Sequence, residues 1–228
     1  MSVSTFPITV PTFGFIGRPA FDPVRRQTAG VIQSGRDWVI DRGAPQWSLS
    51  LKTKPLFNSE IGQWLAFNAA LRGGARFFSM WDPWREYPAA YMPAGWGSLT
   101  RHGGGAFDGT ATVTALGASG LPGAARDTLA FGTLPDGFLL NPGDMVGLSQ
   151  SGLMSLHRIL DPAQLTSAVG AVTAWVEPEV PANFTTAAVA QFHRASAKFR
   201  MVSFSLPIDA AGRARPGQVT MTGLSVLL

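Results

Sequence analysis

Residues 46–52 read Gln46-Trp47-Ser48-Leu49-Ser50-Leu51-Lys52, an unbroken alternation of apolar and polar side chains. Successive side chains of a strand point to opposite faces, so Trp47, Leu49 and Leu51 share a face that must be buried, and Ser48 and Ser50 share the other. The period then changes. Asn58-Ser59 can cap a helix, Glu60 falls in its first turn where the helix dipole favours a carboxylate, and Ile61, Trp64, Leu65 and Leu71 follow at helical spacing. Arg72-Gly73-Gly74 supplies a cationic last turn and a glycine stop, so the spacing predicts a helix over 59–72. A lone helix of this length is marginal in water, so its apolar stripe is expected to lie across a sheet.

The rest of the chain reads as strand and turn. Residues 76–81 resume an extended pattern that Asp82-Pro83 ends, because the residue before a proline is pushed out of the helical region. From Tyr87 to about Gly123 the prolines, the run Gly103-Gly104-Gly105 and many small residues argue for loops, with 111–116 a short strand. Residues 138–140, 145–148 and 153–160 are strands separated by turns at 141–144 and 150–152, which reads as a hairpin. Gly143 and Asp144 form its entry turn, with the Asp144 carboxylate expected on nearby backbone amides. Segments 169–176, 199–206 and 219–228 supply further strands, 184–189 is a weaker candidate, and a polar turn lies at 209–213. Short strands at close spacing with one helix point to a mainly β chain of sandwich or barrel architecture.

Composition bounds the function. Charged residues make up 14% of the chain, against roughly 25% in ordinary soluble domains, while 26 Gly and 17 Pro accompany them. Loop-rich β structure accounts for part of that deficit, and surface buried against neighbouring subunits, where charge is depleted, for the rest. The 228 residues, 46% of them hydrophobic, suffice for one large β domain or two small ones. With no Cys there is no disulfide framework, thiolate zinc site or cysteine nucleophile. The first residues lack a basic region followed by an apolar run, and no stretch reaches the roughly 18 apolar residues of a membrane helix, so neither a secretory leader nor a membrane span is expected.

The net charge of +4 is spread over single residues and pairs such as Arg25-Arg26, a poor pattern for nucleic-acid readout. Lys occurs only at 52, 54 and 198, so fifteen of the eighteen cations are Arg, whose fork suits carboxylates and backbone oxygens at interfaces. Arg25, Arg26, Arg213 and Arg215 lie in polar loops and are candidate subunit contacts. Trp81, Trp84, Tyr87, Tyr91 and Trp96 gather in one short stretch. Three readings of that cluster stay open: a loop pinned by its own aromatics, a subunit contact, or a platform on which sugars stack.

Catalytic chemistry is hard to place. Only His102, His157 and His193 could serve as bases, and no serine sits in a Gly-x-Ser-x-Gly elbow. His102 lies among glycines, whereas His157 falls inside a strand and reads as a hydrogen-bonded barrel residue. The histidine spacing matches no metal motif. Glu177 and Glu179 flank Pro178 on one strand end, not across a cleft as a glycosidase pair would. The glycine run 103–105 lacks the Lys and Ser/Thr of a phosphate loop. No catalytic residue, cofactor or metal is expected, and the chain is not expected to be an enzyme.

The order of features carries a resemblance. Trp47-Ser48-Leu49-Ser50-Leu51, a helix over 60–73 ending in Leu71-Arg72-Gly73, and Arg76-Phe77-Phe78 form one block; Leu140-Asn141-Pro142-Gly143-Asp144-Met145-Val146-Gly147-Leu148 with Leu156-His157-Arg158-Ile159 form a second; Ala197-Lys198-Phe199-Arg200-Met201-Val202 form a closing strand. Together they resemble the distal tail (tail-tip or baseplate ring) protein family of long-tailed bacteriophages, the siphophages, and of prophages. The chain departs from that pattern at 170–180, where Trp175 and Glu179 interrupt a strand that is more regular in the family. The resemblance implies a β-sandwich/barrel ring domain with one α-helix, placed at 1–95 and 195–228, and an inserted small β-barrel at 96–194. It implies a structural virion protein of the phage tail, assembled in the host cytoplasm as a homo-oligomeric ring, a hexamer. Its partners would be the tail tube protein and the baseplate hub and tape-measure proteins, with no membrane and no sequence-specific nucleic acid. Trp81, Trp84 and Trp96 join the arginines as candidate interface residues. The alternative is a carbohydrate- or receptor-binding tail module.

Overall fold

A computed structural model describes residues 7–11, 14–17, 19–25, 27–31, 37–41, 45–118, 126–161, 164–207 and 216–226. The chain is mainly β, 46% strand and 10% helical, with one α-helix and several sheets. In order, its elements are β1 (Ile8–Thr9), β2 (Ala20–Val24), β3 (Gln27–Val31), β4 (Asp37–Asp41), β5 (Gln46–Lys52), α1 (Asn58–Leu71) and β6 (Phe77–Trp81). There follow β7 (Thr110–Gly117), β8 (Thr128–Gly132), β9 (Leu139–Leu140), β10 (Met145–Gln150), β11 (Leu153–Ile159), β12 (Gln164–Leu165), β13 (Val172–Glu177), β14 (Val189–Gln191), β15 (Ser196–Ser205) and β16 (Thr220–Ser225).

A six-stranded sheet in the order β1-β6-β15-β16-β5-β2 draws on both ends of the chain, and a closed barrel in the order β10-β11-β13-β8-β7-β14 draws on its middle. The small pairs β9 with β12 and β3 with β4 stand apart. Among the described residues every strand pairing is antiparallel except that of the short β1 with β6.

In β5 the alternation translates directly into burial: Trp47, Leu49 and Leu51 are 1%, 0% and 3% exposed. α1 lies over that face, with Ile61, Trp64, Phe67 and Leu71 buried in the same core. Leu65, expected in the stripe, is instead exposed, and Phe67 takes the inward position. At 100° per residue Leu65 points about a third of a turn away from the mean direction of the other four. The cap also differs from expectation. Phe57 is the N-cap, and the Glu60 carboxylate accepts its backbone N–H at 2.9 Å. Arg72 lies just beyond the last helical turn, in the left-handed conformation at φ 49°. Gly74 serves a closer approach: a Cβ there would lie 2.7 Å from the Met201 carbonyl oxygen of β15.

The β10–β11 hairpin turns at Ser151-Gly152, both at positive φ (48° and 83°), the geometry whose twist matches flanking strands. Boundaries shift elsewhere. The 169–176 segment pairs only from Val172, the 184–189 segment contributes β14 from Val189, and the last strand ends at Ser225. The expected turn at 209–213 lies outside the described residues.

Sheet and barrel share a contact surface. Met145 and Leu156 of the barrel strands join the sheet core. There the Trp47 indole N–H donates to the Leu156 carbonyl at 2.6 Å, and the Arg158 guanidinium lies 5.3 Å from the Trp47 ring centroid. At the rim, Arg25 donates through Nε to the Glu177 carboxylate at 2.9 Å. The pair is partly exposed, so its share of the stability is under about 1 kcal/mol.

Candidate functional site

The chain leaves the sheet at Trp81 through an anchored turn. Asp82 is buried; one of its carboxylate oxygens accepts Trp84 N–H at 3.0 Å and its carbonyl accepts Arg85 N–H at 2.8 Å. The segment is then laced to the turn between β9 and β10. Arg85 Nη1 donates to the Gly143 carbonyl at 2.9 Å, and Ala89 N–H donates to Asp144 Oδ1 at 2.8 Å. Asp144 Oδ2 accepts Asn141 N–H at 2.7 Å inside its own turn, which Gly143 permits by taking φ 88°. Between the two walls lies an open cleft of about 400 Å³, with Trp84, Arg85, Tyr87, Met92, Pro142 and Asp144 among its lining.

Burial pushes the Asp144 carboxyl above the usual carboxylate range, against the opposing pull of the Ala89 and Asn141 amides and of Arg85. Asp144 is thus a structural tie at the base of the cleft. Asp144→Ala leaves two amides without their acceptor, at about 1–3 kcal/mol for one that stays buried and less for that of Ala89, an exposed residue that water can reach. A loss of roughly 2–4 kcal/mol in denaturant unfolding is expected, with Asp144→Asn intermediate because its amide offers a single acceptor oxygen. An Asp144→Ala protein that unfolds like the parent would show that the tie is energetically idle.

The five clustered aromatics prove to do different work. Trp96 packs into the barrel end, its ring 5.0 Å from both Tyr87 and Phe107 and 5.6 Å from Phe138. Tyr91 stacks on Phe138 at 4.7 Å, and its hydroxyl accepts Leu139 N–H at 2.8 Å. Tyr87 stacks on His193 at 4.7 Å, and Trp81 lies under the Arg194 guanidinium at 5.0 Å. Trp84 is the one left largely open, 58% exposed at the mouth of the cleft.

The ionisable groups are dispersed. Glu86 loses hydration by partial burial, yet hydrogen bonds from Arg194 and His193 hold its carboxyl below the usual range. His102 pairs with Asp136 at 3.0 Å, and His157 lies in the barrel wall with Nδ1 2.7 Å from the Pro178 carbonyl. The three histidines therefore have three different partners. Glu177 is engaged by Arg25, so that arginine makes a bond within the chain. Arg26, Arg213 and Arg215 lie outside the described residues. Among the described residues no three His, Asp or Glu side chains converge as metal ligands.

Asp82 and Arg85, which build the cleft, went unnoticed in the sequence, where Asp82-Pro83 reads only as a strand stop. An Asp two residues ahead of an aromatic is also the pattern of a turn in which the carboxylate takes a backbone N–H, and that signal could have found it. No family model matches the chain, and no curated protein matches it. The arrangement itself is suited to binding: an exposed indole on an anchored turn and a guanidinium share the lining of a concave site.

Proposed function

We propose that the chain is a structural protein of a long-tailed phage tail tip, which assembles into a ring joining the tail tube to the baseplate hub and has no enzymatic role. The observation that carries this reading is the hairpin of β3 and β4. Among the described residues it forms a two-stranded sheet of its own, paired neither with the six-stranded sheet nor with the barrel. Two strands alone are marginal in water. Such a hairpin favours a further surface, and an adjacent subunit of a ring supplies one.

The sheet edges support contact by hairpin and loops over strand addition. β1 is only two residues long, and β2 carries Pro23, which has no N–H to offer a new strand. Low charge and many glycine-rich loops agree with extensive subunit burial. In this reading the ring is a hexamer that meets the tube, hub and tape-measure proteins in the virion, and Arg26, Arg213 and Arg215 bond across subunits.

Negative-stain imaging and sedimentation of the purified chain test the reading. A ring with a central pore is expected. Replacing residues 27–41 by a short Gly-Ser linker should yield monomers that still unfold cooperatively, with far-ultraviolet circular dichroism reduced only by the two strands removed, and Arg213→Glu should weaken the ring. A parent protein that stays monomeric at high concentration overturns the proposal.

A further inference from the structure

We propose that the Trp84 cleft binds an uncharged pyranose unit of an oligosaccharide, with the indole as its stacking platform. A pyranose turns a patch of C–H groups to one face and hydroxyls to its rim, so its recognition needs a flat, electron-rich ring with polar groups beside it. Trp84 meets the first need, with 58% of its surface open. Its backbone is held by the Asp82 turn, through Trp84 N–H to Asp82 Oδ1 at 3.0 Å, so binding has only the side chain to order at this residue.

Arg85 and Tyr87 meet the second need. Both line the cleft, and the Arg85 guanidinium is already held there by the Gly143 carbonyl at 2.9 Å. The opposite wall is the Pro142-Gly143 turn, tied across to Ala89 by Asp144. The site is therefore built, not improvised by a loose loop.

The charge balance selects among ligands. Arg85 stands close to the buried carboxylates of Asp82 and Asp144, and this leaves little net positive charge for a phosphate or sulfate group. The shape argues against a protein partner. Protein interfaces bury a contiguous patch of about 800 Å² on each side. Here the exposed large apolar residues of the cleft are Trp84 and Met92, set in a concave lining that includes Arg85 and Asp144. This inference does not rest on ring formation, since binding is read on the folded chain in any oligomeric state.

The test is saturation-transfer NMR with cellotriose, maltotriose and fully N-acetylated chitotriose, followed by a glycan array with the intact chain. At least one neutral glycan should bind with a dissociation constant on the order of 1 mM or tighter. Trp84→Ala, at an exposed position, should retain the parent melting temperature and lose at least tenfold in affinity, while Trp84→Phe should keep part of it. Leu65→Ala, on the helix, should bind as the parent does. Absence of binding across the array overturns the proposal, as does binding that survives Trp84→Ala. A Trp84→Ala change in sedimentation without any glycan signal also overturns it and assigns the cleft to a second copy of the chain.

Discussion

Trp64→Ala is expected to cost about 3–5 kcal/mol of unfolding free energy, the range for deleting a large aromatic from a packed core. Trp64 is fully buried, with its ring 5.7 Å from Phe67 and 6.2 Å from Phe204. No other α1 side chain fills as much space between helix and sheet. Its indole N–H is buried without a hydrogen-bond partner among the described residues, so Trp64→Phe should cost much less than the alanine variant. Leu65→Ala, one residue on but turned to solvent, should cost under about 1 kcal/mol. Urea denaturation of the three variants checks the set; equal losses at 64 and 65 would mean that the helix does not lie over the sheet as described.

Acidification should weaken the protein through His157 before Glu86 and Asp108 contribute. Its imidazole is fully buried, and burial lowers its pKa from 6.5 to about 4 despite the hydrogen bond with Pro178. Between those two values the unfolded chain binds a proton that the folded chain refuses, so stability falls as pH falls through that window. From pH 7 to pH 4.5 the loss attributable to this group is about 2–3 kcal/mol. Glu86 and Asp108, whose carboxyls are held below the usual range, lose their share only at lower pH. His157→Gln removes the titration while its amide can still donate to Pro178. A stability-versus-pH curve for this variant should be flatter than the parent's between pH 6.5 and 4.5, and parallel curves would refute the assignment.

The local elements were legible and the long-range arrangement was not. Trp47, Leu49 and Leu51 announce β5 because a period of two has no other physical solution, and the β10–β11 turn is written in Ser151-Gly152. Leu65 misled because it stands four residues after Ile61, a spacing that fits a helix face; only the position of the sheet decides that Phe67 is inward. Barrel closure depends on β14 pairing with both β7 and β10, contacts between distant segments that no local pattern encodes.

The candidate site divides in the same way. A run of aromatics over 81–96 is visible at once, but the residues that pin Trp81, Tyr87, Tyr91 and Trp96 are Phe107, Phe138, His193 and Arg194, which lie further along the chain. The exposed member emerges only by subtraction of those partners. Asp144 was legible as a turn residue, whereas its bond to Ala89, 55 positions away, was not.

Ser196 pairs with Trp81 in the sheet, so the chain departs from and returns to adjacent points. Everything between those residues is topologically a detour, and strands β6 and β15 would still be neighbours if a tight connection replaced it. The order of the sheet is therefore indifferent to what the detour contains, which makes this position a natural socket for exchange of one module for another. The limit on such exchange is chemical: any replacement must cover the apolar ground now occupied by Met145 and Leu156 and offer the Trp47 indole an acceptor.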